Sequence, residues 1–360
     1  MIDLKEILFH FPVKTEISPY GNGHINDTYT TKGSPSYILQ RMNTKIFKDT
    51  ERLMQNIVAV TSHVREKILK EGGDPKRESL TVIPTIEGKF YHVTPEGDAY
   101  RMYIFIEDAV TYDVPENPKQ MYEVGRAFGK FQKQLADFNA DVLYETIPDF
   151  HNTPKRVENL ENAIKKDALG RAREVEEEIA FAREYSKYAD LIQSGISDGS
   201  IPLHVTHNDT KINNVMLDLK TGEAVCVIDL DTVMPGSLLY DYGDALRTGA
   251  ATAPEDEHDL SKMYLNMDCF YEFSKGFLSY TKDTMTKKEI ELLPLSVLIL
   301  TYECGTRFLE DYLNGDTYFK THYDKQNLYR VRTQFKLVKD IESKLPEMQK
   351  TIDKILEELK

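Results

Sequence analysis

Cysteine is scarce in this chain: Cys226, Cys269 and Cys304 stand far apart and are odd in number. That pattern offers no disulfide framework and no metal-ligand spacing, and it fits a reducing, cytoplasmic setting. Positive charge is in deficit, with Lys+Arg 45 against Asp+Glu 59 and a net charge of −14. Binders of nucleic acid or anionic membrane carry basic surfaces, so neither is expected as a partner, although a local basic pocket for a nucleotide stays open. No apolar run approaches the ~20 residues that span a bilayer. The first eleven residues are amphipathic and carry acids, unlike a signal peptide. There is no internal repeat and no low-complexity tract, and nothing fixes an oligomeric state. What is present is 360 residues, 41% hydrophobic, an ordinary globular composition with length for two lobes.

The chemistry concentrates in His207-Asn208-Asp209-Thr210-Lys211-Ile212-Asn213-Asn214, which reads H-x-D-x-x-x-x-N. Further on, an apolar run ends in acids: Ala224-Val225-Cys226-Val227-Ile228-Asp229-Leu230-Asp231. A kinase needs one carboxylate to accept the attacking hydroxyl's proton, and an amide oxygen and a second carboxylate to hold magnesium on the phosphates. Asp209, Asn214 and Asp229 supply those types in that order. The spacing predicts a tight loop, a strand over 214–218, a turn at Thr221-Gly222 and a returning strand ending at Asp229. Either half alone is unspecific; the two in sequence make the motif.

Upstream, residues 2–9 predict a short helix. Residues 17–29 hold a Gly21-x-Gly23 turn and an alternating strand, and 36–42 a second strand. Such a hairpin covers ATP phosphates in kinase-like lobes, while Asn22-Gly23 by itself is a plain hairpin turn. Arg41 is the candidate phosphate cation, since that strand has no lysine. Residues 49–70 carry the stripe Leu53, Ile57, Val60, Val64 and Ile68, with Asp49 or Thr50 as N-cap and Glu51 or Glu66 available to the cation. Gly72-Gly73-Asp74-Pro75 ends that helix. Strands follow over 81–86, 89–93 and 100–106. The pattern changes near Ile106 and Asp108, where a hinge would meet adenine, so the lobes are expected to be 1–108 and 109–360. The second lobe reads as helices over 119–138, 155–191, from Tyr240 onward, from a capping box at Thr286 to about 312, and from about 328 to the end.

With these stretches in hand the chain resembles the aminoglycoside-phosphotransferase and choline-kinase superfamily. Within it the chain is most similar to bacterial N-acetylhexosamine 1-kinases. The closer likeness rests on Tyr20-Gly21-Asn22-Gly23-His24-Ile25-Asn26, Tyr37-Ile38-Leu39-Gln40-Arg41-Met42-Asn43 and Thr206-His207-Asn208-Asp209-Thr210-Lys211. It extends through Ile228-Asp229-Leu230-Asp231-Thr232-Val233-Met234-Pro235-Gly236-Ser237 and Glu303-Cys304-Gly305-Thr306-Arg307-Phe308-Leu309.

The resemblance implies an α+β, protein-kinase-like fold of two lobes. It implies transfer of the ATP γ-phosphoryl group to the anomeric hydroxyl of an N-acetylhexosamine, with Asp209 as base and Asn214 and Asp229 on magnesium. Gly21, Gly23, Arg41, Ile106 and Asp108 would line ATP. His24, Asp209, Asp231, Glu303, Arg307 and Tyr318 would meet the amino sugar, with His207 and Asp241 bracing the loop. Asp231 is alternatively a turn residue, and Glu303 with Arg307 an ordinary i,i+4 ion pair. The rival readings are a kinase for choline, an amino alcohol, an aminoglycoside or another hexose, and a non-catalytic binding protein.

Overall fold

The helix Thr50–Lys70 forms because Asp49 accepts from the Arg52 amide at 3.0 Å and because its apolar stripe, Leu53 to Ile68, is buried. It belongs to a computed structural model that describes residues 4–21 and 25–360. The chain gathers into two units. One comprises Met1–Thr111, Asp137–Pro148 and Val215–Pro235; the other comprises Tyr112–Ala136, Asp149–Asn214 and Gly236–Lys360. The sequence expectation assigned everything after residue 108 to one lobe, whereas two later stretches return to the first unit. Backbone pairing explains one return: Ala109–Val110 pairs antiparallel with Val215–Asp218, which pairs with Ala224–Val227. Side chains explain the other, since Asp137 meets His63 at 3.0 Å and also contacts Lys67.

In the first unit the main sheet runs Ile17–Pro19, Asp27–Thr31, Tyr37–Met42, Ala99–Ile104, Val82–Ile83, all antiparallel, with His92–Val93 also pairing Ala99–Ile104. The strands expected over 81–86 and 89–93 shrink to two residues each and pair the central strand instead of each other. Pro84 has no N–H to give a ladder, so pairing stops there. Alternation puts Leu39, Tyr100 and Met102 on one face, in a core with Ile7, Leu8, Phe11 and Val13. Of the expected N-terminal helix the described part is Leu4–Leu8.

The second unit is mainly helical. Pro118–Leu135 packs against Met267–Thr281, a helix the sequence reading did not contain. Their backbones approach so closely that a Cβ on Gly125 would lie 2.2 Å from the Phe273 carbonyl oxygen, so the contact requires glycine. The helix expected over 155–191 is broken into Thr153–Lys166, Glu176–Tyr185 and Leu191–Ser197. Asp167 takes a left-handed φ of 37°, and Gly170 follows at 69°. Lys287–Asn314 starts at a capping box of Thr286 and Glu289 and stops at Gly315, φ 99°. This one helix is long and apolar enough to cross a membrane, an exception to the sequence expectation. Its apolar window is 83% buried inside the protein, which makes it a core helix. Gln326–Glu358 closes the chain.

Candidate active site

The second unit holds the H-x-D-x-x-x-x-N segment as a loop between the strand His204–Thr206 and the turn Ile212–Asn214. Asn208 sits at φ 64°, the left-handed conformation that asparagine tolerates better than most residues. The loop hangs on Asp241 of the helix Leu238–Gly249. The buried Asp241 carboxylate accepts from the His207 amide (2.9 Å), the Asn208 amide (2.7 Å) and the Gln132 side chain (2.6 Å), and the Thr210 hydroxyl donates to its carbonyl (2.6 Å). Burial raises the Asp241 carboxyl above its ordinary range, against the lowering effect of His207 and these donors. One turn on, Asp244 accepts from the Thr210 amide at 3.0 Å and pairs with the buried Arg247 at 2.9 Å. Gly236 lets the chain pass: a Cβ there would lie 2.2 Å from the Thr206 hydroxyl and 3.0 Å from Asn208 Oδ1. His207 is fully buried, edge-on to Phe128 and Phe131, and its Nδ1 accepts from the Asp209 amide at 3.3 Å.

Asp209 therefore stands on a peptide held on both sides. Its carboxylate meets Lys211 Nζ at 2.8 Å, and the Asn214 amide nitrogen donates to its carbonyl (2.7 Å) and carboxylate (3.3 Å). Burial pushes the Asp209 carboxyl up, but Lys211, His207 and Arg247 outweigh it and hold the group below the usual carboxylate range. At neutral pH it is an ionised acceptor. With the Asn214 nitrogen turned to Asp209, the amide oxygen is the atom left for a hard cation.

In the first unit the strand Ala224–Val227 leads to Asp229, whose φ of 59° is left-handed for a residue with a side chain. Such a cost persists where surrounding structure imposes it. Carboxylate and amide oxygens are the donors magnesium prefers, so Asp229 and Asn214 are each of a residue type that suits that ion. Among the described residues no cluster of three or more His, Cys, Asp or Glu forms a site for another metal.

Asp231 is buried, with one oxygen 2.5 Å from Arg101 Nη1 and the other accepting from Asn26 at 2.7 Å. Both oxygens thus have partners within the first unit, and the residue lies in the 3-10 turn Leu230–Thr232, as the turn reading expected. Arg101 also donates to Gln40 Oε1 at 2.9 and 3.1 Å. Sequence reasoning passed over it, although a lone arginine in an otherwise apolar strand was the available signal. Arg41, the cation expected for phosphates, is instead exposed and paired with Asp27 (2.5 Å) and Asp98 (3.6 Å). Among the described residues neither arginine forms an ion pair with Glu51 or Glu66; Arg101 takes Asp231. Removing Arg101 alone would leave Asp231 as a buried, uncompensated charge. Arg101→Ala is expected to cost about 3–5 kcal/mol of stability, read as a lowered denaturant midpoint, and Arg101→Met with Asp231→Leu should recover much of it. An unchanged midpoint in Arg101→Ala would contradict the pairing.

Of the residues expected at a hinge, Ile106 is buried, and Asp108 has φ 53°. The Asp108 carbonyl accepts from the Leu219 amide at 3.0 Å and from Arg77 at 3.3 Å, and Arg77 also pairs with Asp218 at 2.5 Å. Gly21 takes φ 67°, as the expected turn requires; Gly23 and His24 lie outside the described residues.

Glu303 and Arg307 do not form the ordinary ion pair considered from the sequence. Glu303 is 1% exposed, with one oxygen on His151 Nδ1 (2.8 Å) and the other accepting from the Thr153 hydroxyl (2.6 Å). The Arg307 guanidinium lies over the rings of Phe150 (5.2 Å), Phe319 (5.5 Å) and Tyr318 (5.8 Å). Burial lowers the nearby Arg156 from its ordinary value, and the charge of Arg307 adds to that. Tyr318 itself is 56% exposed.

Residues 16–273 match the phosphotransferase enzyme family, APH. Among solved structures, a microcompartment-associated aminopropanol kinase superposes with a TM-score of 0.65 at 14% identity, over 96% of this chain and 98% of that one. An aminoglycoside phosphotransferase from Alicyclobacillus acidocaldarius gives 0.63 at 12% identity, over 98% and 97%. A choline kinase from Cryptosporidium parvum gives 0.58 at 15% identity, over 96% of each chain. At such identities these likenesses speak for the fold, which is the α+β, kinase-like one that the sequence led us to expect.

Proposed function

We propose, for a chain that belongs to the phosphotransferase enzyme family, the transfer of the ATP γ-phosphoryl group to the anomeric 1-hydroxyl of an N-acetylhexosamine, GlcNAc or GalNAc. As a member of that family it is a small-molecule kinase; the acceptor is the proposal. Asp209, ionised and held by Lys211 and Asn214, orients the hydroxyl and takes its proton. Asn214 and Asp229 are assigned to magnesium, which would supply charge neutralisation on the phosphates. Loose phosphoryl-transfer transition states need little else than positioning and charge stabilisation. Gly21, Gly23, Ile106 and Asp108 are assigned to ATP. Arg41 keeps only a peripheral part there, since two acids already occupy it.

The observation that carries the choice of acceptor is the pair of guanidinium groups near the catalytic loop. Arg307, bedded on Phe150, Tyr318 and Phe319, has Arg156 as its neighbour. Phe150 adjoins His151, which bonds to the carbonyl of Asn208, the residue before Asp209. A cationic acceptor, such as the aminopropanol or choline of the two kinases above, would meet two guanidinium groups, while the acids beside them are already engaged: Glu303 by His151 and Thr153, and Glu310 by the charges of Arg156 and Arg307. A neutral acetamido sugar offers them oxygen acceptors.

An ADP-release assay over GlcNAc, GalNAc, their 1-deoxy analogues, choline, 1-amino-2-propanol and an aminoglycoside tests this. Turnover is expected with the first two alone; preference for any cationic acceptor contradicts it. Arg307→Ala should lower sugar kcat/KM about ten- to a hundredfold, the loss for a hydrogen bond to a charged group of about 1.5–3 kcal/mol, with the KM for ATP little changed. An unaltered sugar kcat/KM removes Arg307 from the site.

A further inference from the structure

We propose that His151 is a positioning residue of phosphoryl transfer, an imidazolium clamped between the Glu303 carboxylate and the Asn208 carbonyl that fixes the peptide carrying Asp209. The inference rests on the assignment of Asp209 as the acceptor-orienting group, and it does not depend on which small molecule is the acceptor. It also moves Glu303 from sugar recognition to the support of the loop.

The geometry calls for a donor at Nε2 and a shared proton at Nδ1. His151 Nδ1 lies 2.8 Å from Glu303 Oε1, and Nε2 lies 2.9 Å from the Asn208 carbonyl oxygen. A neutral imidazole has a single N–H, so one of these contacts would oppose two acceptors inside hydrogen-bond distance. With the proton on Glu303 instead, Nδ1 would accept from the carboxyl and Nε2–H would still donate to Asn208, but Glu303 is held below its ordinary value and His151 above it, which puts the proton on the ring. The imidazolium so formed donates at both ends. The Thr153 hydroxyl donates to the second Glu303 oxygen, which completes the carboxylate.

The surroundings agree. His151 is 8% exposed, with Glu303 on the helix Lys287–Asn314, Asp244 and Tyr240 on the helix Leu238–Gly249, and Arg307 one turn beyond Glu303. Burial disfavours its charge, but Glu303 and then Asp244 overcome this and raise its pKa. Glu303 is lowered: burial opposes its charge, and His151, Arg307 and Thr153 together outweigh burial.

The consequence for Asp209 is mechanical. Asn208 gives its N–H to Asp241 and takes its carbonyl bond from His151, while its side chain is tied to Thr206. Its left-handed backbone is thereby held from the helix Leu238–Gly249 and from the turn that precedes the helix Thr153–Lys166. Without His151 the buried carbonyl loses its donor, and rotation of the 208–209 peptide would swing the Asp209 amide away from His207 Nδ1. A misplacement of about 1 Å at the reacting group is enough for a hundredfold loss.

The sign of the pH effect follows. A histidine raised on folding contributes fully below its unfolded value, near 6.5, and that contribution disappears as pH rises through the folded value. Wild-type kcat should therefore fall on the alkaline side. Glu303→Gln removes the carboxylate that raises His151, so the fall should begin at least one pH unit lower.

The test uses full-length wild type, His151→Phe and Glu303→Gln. Long-range ¹⁵N spectra of the wild type should show both His151 nitrogens protonated at pH 7. Hydrogen exchange at the Asn208 and Thr210 amides should quicken at least tenfold in His151→Phe. Acceptor kcat per folded molecule should drop ten- to a hundredfold in His151→Phe, with the nucleotide KM changed less than threefold. A neutral His151 ring, unchanged exchange, a kcat within twofold of wild type, or an alkaline limb that Glu303→Gln fails to move would each overturn the proposal. A merely structural role would lower the melting temperature and move none of the others. Should the wild type phosphorylate no acceptor at all, the ring spectra and exchange rates still decide the clamp, and the failure falls on the kinase assignment alone.

Discussion

Asp209→Asn is expected to keep the fold and nucleotide binding and to lose at least the 10²–10⁴-fold in turnover that accompanies removal of a general base. Asparagine preserves size and can still accept from Asn214 at its oxygen, so the loop should survive. What disappears is the negative charge that Lys211 stabilises across 2.8 Å and the group that receives the hydroxyl proton. Because neighbouring cations hold the Asp209 carboxyl low, it stays ionised down to acid pH, and its own protonation should limit the rate only below the normal carboxylate range. Steady-state turnover with purified protein, beside a nucleotide-binding isotherm, checks this. Near-wild-type turnover in Asp209→Asn would require another base.

Asp229→Ala should abolish activity, and Asn214→Ala should raise the magnesium concentration needed for half-maximal rate. The two are unequal for a chemical reason: a carboxylate brings charge to the ion, whereas an amide brings only a dipole. Asn214 also donates to Asp209, so its loss is expected to reduce kcat even at saturating magnesium. Activity titrated against magnesium separates the effects. Curves that match wild type in both variants would place the ion elsewhere.

What was legible in the sequence was local. The stripe from Leu53 to Ile68, the capping box at Thr286 and the breaker Gly72-Gly73 each act over a few residues, and the corresponding helices follow. The H-x-D-x-x-x-x-N segment was readable for the same reason, since its spacing is that of one loop. Contacts between distant residues were not readable. Arg101 and Asp231, His151 and Glu303, and Gln132 and Asp241 are separated by a hundred residues or more, and none of the six advertises its partner. Helix 267–281 escaped because its phenylalanines and Cys269 are modest helix formers with little polar punctuation; tertiary packing through Gly125 and Gly276 overrides that. The 155–191 stretch failed in the opposite direction. Its composition favours helix throughout, and only the left-handed Asp167 and the glycine behind it reveal the break.

The most direct test is a ³¹P NMR spectrum of the product formed from ATP, magnesium and an N-acetylhexosamine. The account predicts a single sugar phosphate whose phosphorus couples to the anomeric proton, formed by wild type and missing with Asp209→Asn. A phosphate on any other hydroxyl, or phosphorylation of an amino alcohol while the sugars remain untouched, would contradict it.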